Sequence, residues 1–294
     1  MRELMTTREV ADYLRIKERK VYGLVQAHAI PCARVTGKWL FPRAMVDLWV
    51  LENTEYAGRV LAPAAPPVLA GSHDPLLEWA VRESGSGLAV LFDGSLDGVQ
   101  RVTTRQACAC GVHVIDARDE SYNVRLLEQQ PAMPDAVLLE WAWREQGLIL
   151  AAGNPLDIAS LADVAARGLR VIDRQQSAGS HLLLEHLLQK SGTPSAALKR
   201  VARPARNESD AAFAVANGDA DVALGIAAVA RQYRLDFVPL QRERYDLMLR
   251  RRDYFEAPLQ ALLTFAHSTA FADKAHALGG YDIEGLGGVR YNTP

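Results

Sequence analysis

The chain has 294 residues, of which 49% are hydrophobic and 23% charged, with a net charge of −2. These are ordinary values for a soluble globular protein of two or three domains. No apolar run approaches the roughly 18 residues of a membrane-spanning helix, the start MRELMTTREV lacks the apolar core of a signal peptide, and three cysteines exclude a disulfide framework; the expectation is a cytoplasmic protein with no membrane partner.

The near-neutral total hides an asymmetry. Residues 1–51 carry nine Lys/Arg against five Asp/Glu, a surplus of four, and the remainder carries a deficit of six. A small basic module on a larger acidic one predicts a polyanionic partner for the small one. Thr6-Thr7-Arg8-Glu9 has the form of a capping box, so a first helix should begin after Thr6. Val10, Tyr13 and Leu14 give it an apolar face. Arg15-Ile16-Lys17 forms a turn, and a second helix runs from about Glu18 to Ala27 with Val21, Leu24 and Val25 inward. Two short helices about a tight turn make a helix-turn-helix, whose second helix can enter the major groove. Two alternating runs flank Thr36-Gly37 and predict a small hairpin, and Pro42 opens a third helix over Arg43–Val50. Trp39, Phe41, Leu48 and Trp49 are the expected small core.

The segment TTREVADYLRIKERKVYGLVQAHAIPCARVTGKWLFPRAMVDLW resembles the winged helix-turn-helix modules of the excisionase and MerR-like group. By position, the resemblance implies DNA contacts from Lys17, Arg19, Lys20 and Tyr22 on the second helix, Arg34 and Lys38 on the wing, and Arg43 on the third helix. Most of these would go to phosphates. The stretch from Glu52 to Pro67, rich in Ala and Pro, reads as a semi-rigid linker between a domain over 1–51 and another over 68–294.

From residue 68 strands and helices alternate, which predicts an α/β domain with a parallel sheet. Val68–Ala70, Leu88–Phe92 and Gly111–Asp116 are strands, with helices over Pro75–Glu83 and from Ser95 to about Ala107. Ala136–Ala142 reads as a buried strand. Around Trp143–Gly147 the chain leaves a first lobe, about 68–143, and enters a second, about 148–240, returning after Glu243 to close the first with helices at Pro258–Ala266 and Thr269–Leu278. The organising stretch is LRVIDRQQSAGSHLLLEHLLQ: a strand over Leu169–Ile172, a polar loop over Asp173–Ser180 and a helix over His181–Gln189. A helix start carries unpaired N–H groups and partial positive charge, so it suits an anion, although a capped turn without ligand reads the same way. In open α/β sheets ligands bind beyond the carboxyl ends of strands, so Ser72, Ser95 and the Ser177–Ser180 loop could share one cleft.

The order of elements looks like the type II periplasmic-binding-protein fold, and more narrowly like the PBP-like domain found fused to helix-turn-helix modules and associated with molybdate and tungstate. The stretches AGSHDPLLEWAV, DGSLDGVQ, GVHVID, ESYNVRLL, WREQGLILAAGNP, LRVIDRQQSAGSHLLLEHLL, DADVALGIAAVA and LDFVPLQRERYDL carry that resemblance. It implies an oxyanion held by Ser72, His73, Ser95, His113, Tyr122, Asn123, Arg174, Ser177, Gly179 and Ser180. The family loop reads Ser-Gly-Thr; here it is Ala178-Gly179-Ser180, which leaves Ser177 as the neighbouring hydroxyl.

Single residues keep a second reading at this stage. His113 is a ligand donor or a satisfied core histidine, and Arg174 neutralises an anion or pairs with an acid such as Asp173 or Asp221. Cys108-x-Cys110 with His113 has poor metal spacing and reads as packing, with no metal apart from the oxyanion's own. Ser180 beside His181 does not make a base-oriented dyad, and there is no G-x-S-x-G elbow, Walker loop or HExxH, so no catalysis is expected. The expectation is an α/β, two-lobed, type II periplasmic-binding-protein-like domain preceded by a small winged helix-turn-helix: a one-component regulator, homodimeric, that binds double-stranded operator DNA. It would require no cofactor and take molybdate or tungstate as effector. The alternatives are a regulator of an organic anion such as a carboxylate, or an oxyanion-binding protein without a regulatory role.

Overall fold

Thr6 caps the first helix as its sequence demands. Its hydroxyl accepts from the Glu9 N–H, and the Glu9 carboxylate accepts in return from the Thr6 N–H at 2.8 Å. The computed structural model describes residues 4–35, 37–53, 64–130 and 133–293, so Thr36 at the tip of the hairpin and most of the linker fall outside the described residues. The chain divides into two units, residues 1–63 and 64–294.

The first unit holds β1 (Leu4–Thr6), α1 (Thr7–Leu14), α2 (Glu18–Gln26), β2 (Ala33–Val35), β3 (Lys38–Pro42) and α3 (Arg43–Glu52). The hairpin β2–β3 gains a third strand, β1, which the sequence pattern did not announce. Its core is Met5, Val10, Ala11, Val21, Val25, Ile30, Phe41 and Val46, with Trp39 and Trp49 packed against it. Leu48 departs from expectation and is exposed. Val46 and Trp49, three apart, share the inward face of α3, and Leu48 falls beside it. Tyr13 is also exposed, and its hydroxyl donates to Asp47 at 2.6 Å.

The second unit opens with β4 (Val68–Gly71), α4 (Pro75–Glu83), β5 (Ala89–Phe92), α5 (Ser95–Thr103), β6 (Ala109–Val112) and α6 (Val124–Glu128). It crosses on β7 (Ala136–Leu150) into α7 (Leu161–Ala166), β8 (Arg170–Ile172), α8 (Gly179–Lys190), β9 (Lys199–Arg200), α9 (Glu208–Ala216), β10 (Val222–Ile226) and α10 (Ala227–Gln232). It returns on β11 (Asp236–Arg250) to α11 (Arg251–Tyr254), α12 (Ala257–Ala266), α13 (Thr269–Leu278), β12 (Tyr281–Asp282) and β13 (Val289–Asn292).

The sheet runs β5-β4-β6-β11-β7-β10-β8-β9. It is mixed rather than wholly parallel. β4, β5 and β6 are parallel, as are β8, β9 and β10, but β7 and β11 lie antiparallel to each other and to their flanking strands. Both crossings are single 15-residue strands, paired from Asp236↔Leu150 to Arg250↔Ala136. Register shifts at Pro239/Gln241 and Tyr245/Asp246 break the ladder near the middle, where a bulge bends a strand and re-aims its side chains. On one side of this ribbon the core is built on Trp141, Leu69, Leu77, Leu262 and Phe271 and on Cys110, Met133, Leu138 and Met248. On the other side Leu183, Leu187, Val171 and Leu224, and a second group around Ile149, Ala212 and Val229, fill the second lobe. Cys108 and Cys110 are buried among apolar neighbours, and burial pushes the Cys108 thiol up to about 11.

Candidate ligand cleft and nucleic-acid face

Three corners of the first lobe and one of the second meet. Leaving β4, Ser72 donates its N–H to the Gly111 carbonyl at 2.8 Å, and its Oγ lies 2.8 Å from His113 Nε2 just beyond β6. Ser95, the first residue of α5, accepts the His113 N–H on Oγ at 3.4 Å. From the second lobe the Ser177 carbonyl accepts the Leu96 N–H at 3.1 Å, and Ser177 Oγ donates to the Asp93 carbonyl at 3.3 Å. This contact depends on bare backbone. A Cβ on Gly179 would stand 2.7 Å from the His113 carbonyl and 2.8 Å from its ring. One on Gly94, at φ +104°, would stand 2.9 Å from the Ser177 carbonyl. Both α5 and α8 start here without a side-chain cap, so their positive ends meet at the junction of the lobes.

Beneath the corners runs a chain of buried polar groups. His113 is fully buried, and its Nδ1 lies 2.7 Å from Glu243 Oε2. Glu243 Oε1 accepts from both Arg144 (Nε at 2.9 Å, with Nη2 closer still) and from Gln146 Nε2 at 2.9 Å. Arg144 Nη1 donates to Asp74 Oδ2 at 2.9 Å, and Tyr281 donates to the same oxygen at 2.8 Å. Asp74 Oδ1 meanwhile caps α4 through the Leu77 N–H at 2.7 Å. The Arg144 guanidinium lies 4.3 Å from the Tyr245 ring centroid, and the Tyr245 hydroxyl donates to the Ser72 carbonyl at 2.5 Å. Burial alone would push the Glu243 carboxyl up, but Arg144, His113 and Gln146 outweigh it and hold the group at about 2. Asp246, further along β11, shows the opposite balance: burial raises it to about 6 despite Arg244 and Asn123.

The second lobe contributes a smaller cluster. Arg174 Nη1 and Ser180 Oγ (at 3.1 Å) both donate to Glu208 Oε1, the first residue of α9. Arg174 thus pairs with an acid, but with Glu208 rather than Asp173 or Asp221. Glu208 Oε2 and Gln146 Oε1 are buried with no hydrogen-bond partner among the described residues.

The structure therefore brings together Ser72, Ser95, His113, Ser177 and Gly179, with Ser180 and Arg174 tied to Glu208. The other expected ligand residues have local tasks. His73 contacts Glu78 at 3.1 Å and the edge of Phe92. Tyr122 is buried, with its hydroxyl on Gln241 Nε2 and the Arg242 carbonyl. Asn123 is committed to the Val114 N–H, the Val112 carbonyl and Asp246. Asp74, Arg144, Gln146, Glu243, Tyr245 and Tyr281 were missed by sequence reasoning. A signal was present: Arg144 and Gln146 interrupt the apolar run of β7, and a charge inside such a run must be paired. A separate hollow of about 550 Å³ lies beside Ile115, Leu182 and His186 and is lined by none of the converging serines.

On the first unit Lys17, Arg19, Lys20 and Tyr22 are exposed at the start of α2, opposite buried Val21 and Val25. Lys38 is exposed on the hairpin, and Arg34 lies over the Trp39 ring at 5.4 Å. Arg43 is partly buried, 4.7 Å from the Tyr13 ring centroid and 3.9 Å from Asp47. No helix among the described residues is long and apolar enough to cross a membrane.

Residues 77–267 match the PBP superfamily domain, and residues 4–54 match a helix-turn-helix domain. The chain is 23% identical over 305 aligned positions to the uncharacterised protein YvgK of Bacillus subtilis (strain 168), covering 98% of each. It is 29% identical over 109 residues to a Clostridium pasteurianum protein from the 5′ region of a 2Fe-2S ferredoxin gene, covering 37% of this chain and 96% of that one. Among solved structures, one described as a phosphate ABC-transporter substrate-binding protein with bound phosphate, from Clostridium perfringens, superposes with a TM-score of 0.54 at 10% identity. It covers 72% of this chain and 96% of its own, a likeness of fold.

Proposed function

The chain belongs to the PBP superfamily domain family and carries a helix-turn-helix domain ahead of that fold, and from this premise we propose that it is a cytoplasmic one-component transcription regulator. The helix-turn-helix binds double-stranded operator DNA, and the two-lobed domain senses a small oxyanion, with molybdate and tungstate the first candidates. It acts as a homodimer, catalyses no reaction and requires no cofactor. The observation that carries this reading is the meeting of Ser72, Ser95 and His113 with Ser177 and Gly179 across the lobes, where the Ser95 hydroxyl and two helix starts without side-chain caps can receive anionic oxygens. Ligand that prefers the lobes together would, in a twofold dimer, alter the spacing of the two α2 helices and hence operator affinity.

A second reading has its own support. Glu208 Oε2 and Gln146 Oε1 are buried acceptors without partners, and a ligand bearing O–H or N–H groups would satisfy them. That favours an organic anion such as a hydroxycarboxylate. Thermal-shift measurements with molybdate, tungstate, sulfate, phosphate and small carboxylates separate the two, because a bound ligand raises the midpoint. Gel shifts on DNA selected from a random pool, with and without the stabilising anion, test regulation. Ligand binding without sequence-selective DNA binding would leave an anion-binding protein with no regulatory role.

A further inference from the structure

His113 is held between two groups of different fixity. Glu243 is anchored as a carboxylate by Arg144 and Gln146, so Nδ1 keeps its proton and donates to it. Only Nε2, 2.8 Å from Ser72 Oγ, is free to gain or lose a proton. With Nε2 bare, it accepts the Ser72 hydroxyl hydrogen, and Ser72 offers a ligand only lone pairs. With Nε2 protonated, it donates to Ser72 Oγ and releases that hydrogen toward the cleft.

Charge points the same way. Asp74 and Glu243 carry two negative charges against the single positive charge of Arg144, all buried, while Arg174 is taken up by Glu208. An arriving anion therefore meets a network one charge too negative until His113 is protonated. The groups facing His113 are Glu243 and the Tyr245 ring on β11, with Arg144 and Gln146 behind Glu243 on β7, then Ser72 after β4, Ser95 on α5 and the positive start of α8 at Gly179. Burial and Asp74 keep the Tyr245 hydroxyl protonated. The start of α8 opposes a charge on Nε2, and Glu243 favours it.

We infer that oxyanion binding takes up one proton from solvent onto His113 Nε2, and that His113 is a positioning residue which turns Ser72 into a donor for anions that lack hydrogens. This rests on the oxyanion reading above. No bond in the ligand is made or broken.

The test is isothermal titration of the full chain with molybdate at several pH values, each in two buffers of different ionisation enthalpy. The difference in observed heat gives the protons exchanged, and the expected value approaches one taken up. Affinity should fall as pH rises, by up to about tenfold per unit where one proton is fully taken up. In His113→Gln the amide N–H still donates to Ser72 but does not titrate, so binding should persist within several-fold with no proton uptake and a flat pH profile. Molybdate binding by the unsubstituted chain with no proton exchange overturns the inference and leaves the oxyanion site standing; so does a His113→Gln variant that keeps the original pH slope. No binding of molybdate, tungstate, sulfate or phosphate overturns the oxyanion reading itself. If His113→Gln fails to fold, the two-buffer comparison on the unsubstituted chain decides alone.

Discussion

Lys17, Arg19 and Lys20 stand exposed along the start of α2, whereas Arg144, of the same charge, is 1% exposed and held by Asp74 and Glu243. The contrast separates two uses of charge. An exposed cation is hydrated and contributes little to folding, so it is available to a polyanion at low cost. A sealed cation is bound into the fold, and its partners fix where neighbouring hydroxyls point.

The largest expected effect breaks the sealed side. Arg144→Met leaves Asp74 and Glu243 as buried carboxylates with no cation between them and should cost roughly 3–5 kcal/mol in denaturant unfolding. Lys17→Ala or Arg19→Ala should change stability by less than about 0.5 kcal/mol. Equal losses would erase the distinction. Glu243 also sets a pH window. The folded Glu243 sits below its unfolded value, so its stabilisation is complete above about pH 4.5 and is lost as pH falls toward 2. Across that window the melting midpoint of the unsubstituted chain should drop further than that of Glu243→Gln.

On the exposed side, about five phosphate contacts per unit, and so about ten in the dimer, would lower DNA affinity by about five orders of magnitude between about 50 and 200 mM salt. Fluorescence anisotropy on a selected DNA site measures this, and a flat response would mean that α2 does not meet phosphates. A smaller change, on the order of 1–3 kcal/mol, is expected where the lobes touch. Gly179→Ala forces a methyl to within 2.8 Å of the His113 ring. The anion-induced rise in melting midpoint should vanish, with far-ultraviolet circular dichroism unaltered. The smallest effect is at Arg206 and Asp93, an exposed ion pair 2.7 Å apart across the lobes. Arg206→Ala should cost less than about 1 kcal/mol, and a larger loss would make this surface pair part of the closing mechanism.

The parts legible in the sequence are local. Thr6 and Glu9 are three residues apart and cap one helix, and Ser95 and Gly179 open helices that follow short strands. What the sequence could not show was register. Glu243 lies directly opposite Arg144 on the paired ribbon, although 99 residues separate them, and Tyr281 reaches Asp74 across 207. Arg174 was open between an anion and an acid for the same reason, since Glu208 comes from a different helix. One consequence is practical. Arg174→Ala would strand Glu208 as a buried charge and lower the midpoint of the free protein, so Ser180→Ala is the cleaner probe of the second lobe.

Where an anion sits is the decisive question. Diffraction from a crystal grown with tungstate, recorded at the tungsten absorption edge, locates the metal without reference to any assumed site. The expected anomalous peak lies between Ser72 and Ser95 of the first lobe and Ser177 and Ser180 of the second, within hydrogen-bonding reach of their hydroxyls through the tungstate oxygens. A peak in the hollow beside Ile115 and Leu182, or on the basic face of α2 alone, would contradict it.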